Sequence, residues 1–324
     1  MFFIRRFDTV IRDELLISTG GVIKKAVAAF GDSEYRNIYE IRIRNKSPVI
    51  FRTSEGEFFV DKNMNKTRDI NIAVNVSKDD INKTMELMSR YSLYAFDEDL
   101  KRGFITIQGG HRAGITGKTV IENGRVKTFG NISSINIRIA HEIKGCSKKI
   151  IPYITHDNDI MNTLIISPPG YGKTTILRDI IRNISDGTSG VKKPMNVCVV
   201  DERSEIGGNF MGEFRNDIGI RTDILDSCPK ALGMEMLLRS MSPDVIAVDE
   251  IGRDEDVKAI SEAFNSGVVL ICTIHGKSID DVYSKKIISN LILAECFERY
   301  IVLGKRGNYF TVFDSKGKQI YKGD

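Results

Sequence analysis

Cysteine is scarce in this sequence of 324 residues, and no two cysteines are spaced as a CxxC pair. The five cysteines are scattered widely along the chain. Such a distribution is typical of small buried side chains in a reducing compartment. It argues against a metal site built on cysteine.

Long hydrophobic runs are also lacking. No apolar stretch approaches the roughly 18–20 residues that a helix needs to span a bilayer. The first ten residues, Met1–Val10, have no uninterrupted apolar core of the kind found in signal peptides. We therefore expect a cytoplasmic protein without a transmembrane segment of its own, which could still dock on a membrane-embedded partner.

A strong excess of one charge is missing as well, since the formal net charge is only +4. No stripe of Lys and Arg interleaved with aromatic residues is present, so we expect no nucleic-acid partner. The apolar fraction of 41% is ordinary for a folded soluble chain. A chain of this length predicts about two domains.

The spacing of apolar residues gives the two halves of the chain different characters. In residues 1–150, helical spacing over 1–30 and 77–91 is combined with alternating strand patterns, which predicts a smaller α+β domain. The strands predicted in this half are 38–44, 48–51, 57–60, 103–110, 113–117 and 131–139.

Residues 151–324 alternate between strand and helix patterns. Because parallel strands need such crossovers, this half predicts an α/β domain with a helix-flanked, mainly parallel sheet. Two further apolar segments near the end predict a terminal hairpin. The predicted strands are 163–167, 196–201, 244–249, 268–274, 300–303 and 309–313, and the predicted helices are 173–185, 230–241 and 253–266.

The segment Ser167–Thr174 reads Ser-Pro-Pro-Gly-Tyr-Gly-Lys-Thr and lies between a predicted strand and a predicted helix. It fits the P-loop pattern G-x-x-x-x-G-K-[ST] except that Ser167 stands at the first glycine. In such a loop, backbone N–H groups wrap the phosphates of a nucleoside triphosphate, Lys173 reaches the β and γ oxygens, and the Thr174 hydroxyl binds Mg²⁺. The predicted nucleotide-binding residues are Ser167, Pro168, Pro169, Gly170, Tyr171, Gly172, Lys173, Thr174 and Thr175.

Two acidic segments follow predicted strands of the same sheet. Asp249 could hold Mg²⁺, partly through water, and Glu250 could polarise the attacking water. In Asp201–Glu205, Glu202 is a second candidate base and Arg203 a candidate phosphate contact. The carboxyl ends of parallel strands meet at one edge, so these residues should be close together. The sequence leaves the choice between Glu202 and Glu250 open.

His275 ends the last apolar strand of this group, in Thr-Ile-His-Gly. Its place at the same predicted edge makes it a candidate sensor of the γ-phosphate. A bridge to a neighbouring subunit is the other role that we consider for it.

Several segments together resemble known ATPases. The stretch Leu238–Ile260, followed by Thr273–Gly276, resembles the type II and type IV secretion ATPases. A narrower resemblance is to the stage III sporulation protein AA family, in which the serine at 167 fits the loop. The segments that carry it are Gln108–Gly117, Ser167–Thr175, Asp201–Gly208, Asn216–Asp223 and Ser240–Asp244.

The resemblance implies a RecA-like domain that hydrolyses ATP with Mg²⁺ in a ring of identical subunits, expected to be a hexamer. It implies docking on membrane proteins of a channel complex between mother cell and forespore, on the mother-cell side. It also implies that arginines of the N-terminal domain and of a neighbouring subunit act at the γ-phosphate. Arg112, Arg138 and Arg221 lie in segments that could match those arginines.

Three hypotheses follow for the whole chain. The first is a ring ATPase whose hydrolysis moves the N-terminal domain against the α/β domain. The second is a nucleotide-switched scaffold with little turnover. The third is a RecA-like nucleic-acid motor, which the mild charge disfavours.

Overall fold

The computed structural model describes residues 4–90, 100–101, 103–122, 124–157, 159–210, 212–304 and 309–323. The chain forms two compact units. The first comprises residues 1–141 and 208–215, and the second comprises 142–207 and 216–324. Residues 142–150 fall in the second unit and residues 208–215 in the first, unlike in the predicted division. The predicted domain boundary at residue 150 stays a prediction.

A sheet of seven strands forms the first unit, in the order β4-β3-β2-β1-β7-β6-β5, with neighbouring strands antiparallel. Alternating residues on one face, such as Ile41, Ile43 and Ile137, are fully buried, as expected for a sheet that is covered on one side. The strands are β1 Ile38–Arg44, β2 Ile50–Thr53, β3 Gly56–Val60, β4 Lys66–Thr67, β5 Phe104–Ile107, β6 His111–Glu122 and β7 Arg125–Arg138.

The described ranges of the same unit include the helices α1 Ile4–Ser18, α2 Gly21–Ala28 and α3 Lys78–Met88. The helical prediction over 1–30 corresponds to two helices, α1 and α2, and the first three residues lie outside the described ranges. The break follows from Gly21, whose φ of 56° is left-handed and where a Cβ would lie 1.9 Å from Asp80 Oδ1. The predicted end of the next helix, at Tyr91, also lies outside the described ranges.

The second unit is built on a sheet of eight strands in the order β14-β11-β15-β16-β10-β17-β18-β19. The pairs from β14 to β17 are parallel, and β18 and β19 add antiparallel strands at one edge. The mainly parallel sheet and the terminal hairpin are thus confirmed. The strands are β8 Thr155–His156, β9 Asp159–Ile160, β10 Thr163–Ser167, β11 Val197–Asp201, β12 Asn209–Phe210, β13 Glu213–Phe214, β14 Thr222–Asp226, β15 Val245–Val248, β16 Val269–His275, β17 Arg299–Leu303, β18 Phe310–Asp314 and β19 Gln319–Gly323; β12 and β13 pair with each other and lie in the first unit.

Helices cover both faces of the parallel sheet, so its central strands are buried throughout. Leu177 belongs to the core on one face, and Leu237 and Ile260 belong to the core on the other. None of the helices in the described ranges combines the length and apolar character of a membrane span. The helices of this unit are α4 Ile151–Ile154, α5 Lys173–Asp186, α6 Lys230–Ser240, α7 Asp254–Asn265, α8 Ile279–Tyr283 and α9 Ser289–Leu293.

Candidate nucleotide site at the edge of the parallel sheet

Four central strands, β11, β15, β16 and β10, lie side by side and run in the same direction. Their carboxyl ends therefore meet at one edge. Ser167 at the end of β10 is the register partner of His275 at the end of β16. Ligands of open α/β sheets bind at this kind of edge.

The loop after β10 turns through two glycines with left-handed backbones, Gly170 at φ 78° and Gly172 at φ 92°. The space next to both is open, so backbone can approach a ligand closely there. Ser167, at the position of the first P-loop glycine, is fully buried. Its hydroxyl donates to the Pro168 carbonyl at 3.0 Å, and its carbonyl accepts from the Gly276 N–H at 3.2 Å. A serine thus fits this position without strain.

Lys173 is the first residue of α5 and is only 5% exposed. Its Nζ lies 3.0 Å from His275 Nδ1 and 3.8 Å from Glu250 Oε1. Burial lowers the pKa of Lys173, although Glu250 and Asp249 act in the opposite direction. The ammonium group is close to a helix N-terminus, which adds a partial positive charge for an anion.

Thr174 and Asp249 form the second part of the arrangement. The Thr174 hydroxyl donates to Asp249 Oδ2 at 2.6 Å. The other carboxylate oxygen, Oδ1, accepts from the Thr273 hydroxyl. A hydroxyl oxygen beside a carboxylate is a donor set that suits Mg²⁺, which prefers oxygen ligands.

Glu250 follows with a left-handed backbone at φ 54°, unusual for a residue with a side chain. Its N–H donates to the Thr273 hydroxyl at 2.8 Å. Its carboxylate accepts from Arg203 Nη1 at 2.8 Å and lies 3.1 Å from His275 Nε2. Lys173, His275, Arg203 and Glu250 thus form one group of polar side chains in mutual contact.

Glu202 has different partners. Its carboxylate is bound by Lys230 and lies 3.6 Å from Arg253 Nη1. Burial opposes ionisation of Glu202, but the hydrogen bond from Lys230 and the positive charges of Lys230, Arg253 and Arg203 together lower its pKa. Of the two acids that the sequence left open, Glu250 is the one beside Lys173.

Asp201 anchors the loop that carries Glu202 and Arg203. Its carboxylate accepts from the N–H groups of Glu205, Ile206 and Gly207 at 2.8–2.9 Å. Burial raises the pKa of Asp201 to about 6 in spite of these donors. Loop residues 202–207 are therefore held at the edge by a buried acid.

Arg221 does not join this group at the edge of the sheet. Arg221 precedes β14 at the amino end of the parallel strands, and its Nη1 donates to the Ser185 carbonyl at 3.0 Å. Arg112 and Arg138 lie opposite each other on β6 and β7 of the first unit. The Arg112 guanidinium lies 3.7 Å from the centre of the Phe104 ring.

The sequence analysis assigned no role to two residues at this edge. Thr273 links Asp249 to Glu250, and Lys230 neutralises Glu202. Thr273 stands two residues before His275 in the Thr-Ile-His-Gly segment, and a hydroxyl among apolar strand residues was the available signal. Lys230 begins a helix far along the chain from Glu202, so no local pattern points to it.

A family comparison matches almost the whole chain. The family described as sporulation stage III, protein AA, matches residues 13–320. This chain belongs to that family. Stage III sporulation protein AA of Bacillus subtilis strain 168, a member by name, is 38% identical to it over 301 residues, which are 92% of this chain and 94% of that protein.

Solved ATPase structures resemble this member of the family in fold. The pilus retraction motor PilT with bound ADP is 17% identical, with a TM-score of 0.57 over 90% of this chain and 82% of that one. The DotB ATPase of Yersinia pseudotuberculosis is 14% identical, with a TM-score of 0.56 over 94% and 79%. The expected fold, a RecA-like α/β domain with a helix-flanked, mainly parallel sheet and a smaller N-terminal α+β part, is confirmed.

Proposed function

We propose that this chain binds ATP with Mg²⁺ at the edge of the parallel sheet and hydrolyses it. The observation that supports this most strongly is the convergence of Lys173, the Thr174–Asp249 pair and Glu250 on one strand edge beside an open glycine loop. Phosphoryl transfer needs mainly positioning and neutralisation of charge, and these groups can supply both.

The residues would divide the work as follows. The loop from Ser167 to Gly172 and Lys173 bind the phosphate oxygens, while the Thr174 hydroxyl and, partly through water, Asp249 hold Mg²⁺. When bound, Mg²⁺ neutralises charge on the phosphate oxygens. Thr175 and the first turn of α5 add N–H groups near the phosphates.

Glu250 is the candidate base that orients and polarises the attacking water. Its carboxylate contacts Arg203 and His275, so a γ-phosphate that binds either side chain could change the position of the Glu250 carboxylate. Glu202, which is neutralised by Lys230, is the weaker candidate.

We further propose that copies of the chain form a hexameric ring serving membrane proteins of a sporulation channel complex. Membership of the sporulation family and the fold shared with PilT and DotB support this proposal. In such a ring, Arg112 and Arg138 are candidate γ-phosphate contacts. By the same resemblance, the protein would work in the cytoplasm of the mother cell, at the periphery of the membrane.

Replacing Lys173 by alanine tests the proposal. We expect phosphate release by the purified full-length chain to fall by about 100-fold or more, since a preorganised charge at the phosphates is lost. Lys192→Ala, which replaces an exposed lysine in the loop after α5, is the matched control and should leave the rate unchanged. Near-normal hydrolysis by Lys173→Ala would exclude this edge as the hydrolytic site.

A further inference from the structure

Thr273 is a fully buried hydroxyl residue within an apolar strand, between Cys272 and Ile274. A buried hydroxyl is costly unless it forms hydrogen bonds. Here it forms two, accepting from the Glu250 N–H at 2.8 Å and donating to Asp249 Oδ1. One oxygen atom, that of the Thr273 hydroxyl, therefore contacts both the backbone of Glu250 and the carboxylate of Asp249.

The hydrogen bond from the Glu250 N–H to the Thr273 hydroxyl stabilises an unusual backbone conformation at Glu250. Glu250 is in the left-handed region at φ 54°, a conformation that a non-glycine residue keeps only when its surroundings hold it. The Thr273 hydroxyl holds its N–H, and the Thr273 carbonyl accepts from the Ile251 N–H at 2.9 Å. Thr273 therefore fixes the chain on both sides of the Glu250 carbonyl.

The second bond fixes a carboxylate. The Thr273 hydroxyl, from strand β16, is bound to Oδ1 of Asp249, and the Thr174 hydroxyl, from helix α5, is bound to Oδ2, so both carboxylate oxygens are engaged. A carboxylate held in this way cannot rotate freely. Its orientation toward the Thr174 oxygen is set before any ligand arrives.

We propose that Thr273 is a positioning residue that couples Asp249 to Glu250 and sets how strongly Mg²⁺ tightens nucleotide binding. The inference rests on the proposed function only in requiring that nucleotide and Mg²⁺ bind at this edge. It goes beyond that function because it gives a role to a residue with no reacting atom.

Valine at position 273 removes the hydroxyl and keeps the shape, and serine keeps the hydroxyl. The probe is a non-hydrolysable ATP analogue, whose Kd is measured by calorimetry with Mg²⁺ and with EDTA. Wild type should bind much more tightly with Mg²⁺. In Thr273→Val this enhancement should fall by about 10–100-fold, the usual cost of losing a group that orients a metal ligand, while the Kd in EDTA stays the same.

Thr273→Ser should keep the enhancement, and Asp249→Asn should lose it as Thr273→Val does. Thr273→Ala gives a second test if the valine variant does not fold. The inference is overturned if the valine and alanine variants keep the wild-type enhancement, or if they weaken binding equally in EDTA. The inference is also overturned if Thr273→Ser does not keep the Mg²⁺ enhancement, or if wild type binds no analogue either with Mg²⁺ or with EDTA. Binding by wild type without hydrolysis would contradict only the hydrolytic part of the proposed function.

Discussion

Glu250 and Glu202 both follow strands at the same edge, yet their partners give them different chemistry. Glu250 shares its carboxylate among Arg203, His275 and, at 3.8 Å, Lys173. Glu202 is bound by Lys230, which is 8% exposed. One acid is next to the expected phosphates, and the other holds a buried ammonium group in place.

This difference predicts opposite results for two matched glutamine variants. Glu250→Gln should lower the rate of ATP hydrolysis by about 100-fold or more, since a base is lost, with analogue binding nearly unchanged. Glu202→Gln should keep most of the rate but lower the free energy of unfolding by about 1–3 kcal/mol, since Lys230 loses its charged partner. Steady-state kinetics and urea unfolding measure the two effects.

If Glu202→Gln loses hydrolysis and Glu250→Gln keeps most of it, Glu202 is the base. If Glu250→Gln abolishes hydrolysis but still supports sporulation in a strain that lacks the natural protein, turnover is dispensable. The nucleotide-switched scaffold would then be the better account.

At the level of single residues, the sequence predicts the groups that stand at strand ends. Lys173, Thr174 and Asp249 are predictable because a P-loop pattern and an acidic strand end must meet at one edge of a parallel sheet. Thr273 and Lys230 are not, because their roles depend on which side chain faces them across the fold. Arg221 shows the same limit, since its segment suggests a phosphate contact and its strand begins at the other end of the sheet.

The helix that follows the P-loop, α5, is anchored on a buried acid in its second turn. Asp179 accepts from the Ser147 N–H at 2.8 Å, the Ser147 hydroxyl at 2.7 Å, the Gly145 N–H at 2.9 Å and Arg182 at 2.7 Å. Burial opposes ionisation of Asp179, but the hydrogen bonds from Ser147, Arg182 and Gly145 together lower its pKa. The segment 145–147 is thus tied to the helix that carries Lys173 and Thr174.

We expect Asp179→Asn to lower the free energy of unfolding by about 1–3 kcal/mol near neutral pH, since an asparagine amide cannot accept from all these donors. Because the folded pKa is below the unfolded one, this stabilisation is present above the unfolded pKa and is lost as pH falls through the folded pKa. The variant should therefore lose less stability than wild type below about pH 4. Urea unfolding across this range measures the difference.

Asp254→Asn is the control, because Asp254 is exposed in the first turn of α7. Its effect should stay within about 0.5 kcal/mol. Equal losses in the two variants would contradict the anchoring role of Asp179.

Among the elements, the central strands β10, β11, β15 and β16 are predictable because both of their faces are buried and their residues form apolar runs. The strand β14 is not, since Thr-Asp-Ile-Leu-Asp has only two apolar residues and lies at the edge of the sheet. The long strands β6 and β7 extend well beyond their predicted bounds of 113–117 and 131–139. The outer part of β6, residues 118–122, is exposed, and its two apolar residues, Val120 and Ile121, are adjacent, so no apolar alternation marks it.

For the whole molecule, the proposed ring predicts a change of mass. With a non-hydrolysable ATP analogue and Mg²⁺, light scattering should detect a species near six times the chain mass of 36.4 kDa. EDTA or Lys173→Ala should reduce that species, because nucleotide contacts would be lost. A strict monomer in every nucleotide state would contradict the ring.

The first compact unit takes in residues 208–215, although the chain on both sides of them belongs to the second unit. Arg215 in this segment donates to the Ala140 carbonyl at 3.0 Å and pairs with Glu14, which is 8% exposed, at 3.3 Å. A ribosome that has made residues 1–141 has therefore not yet supplied every part of the first unit. That unit can be completed only after β10, the P-loop, α5 and β11, all of them parts of the second unit, have been synthesised.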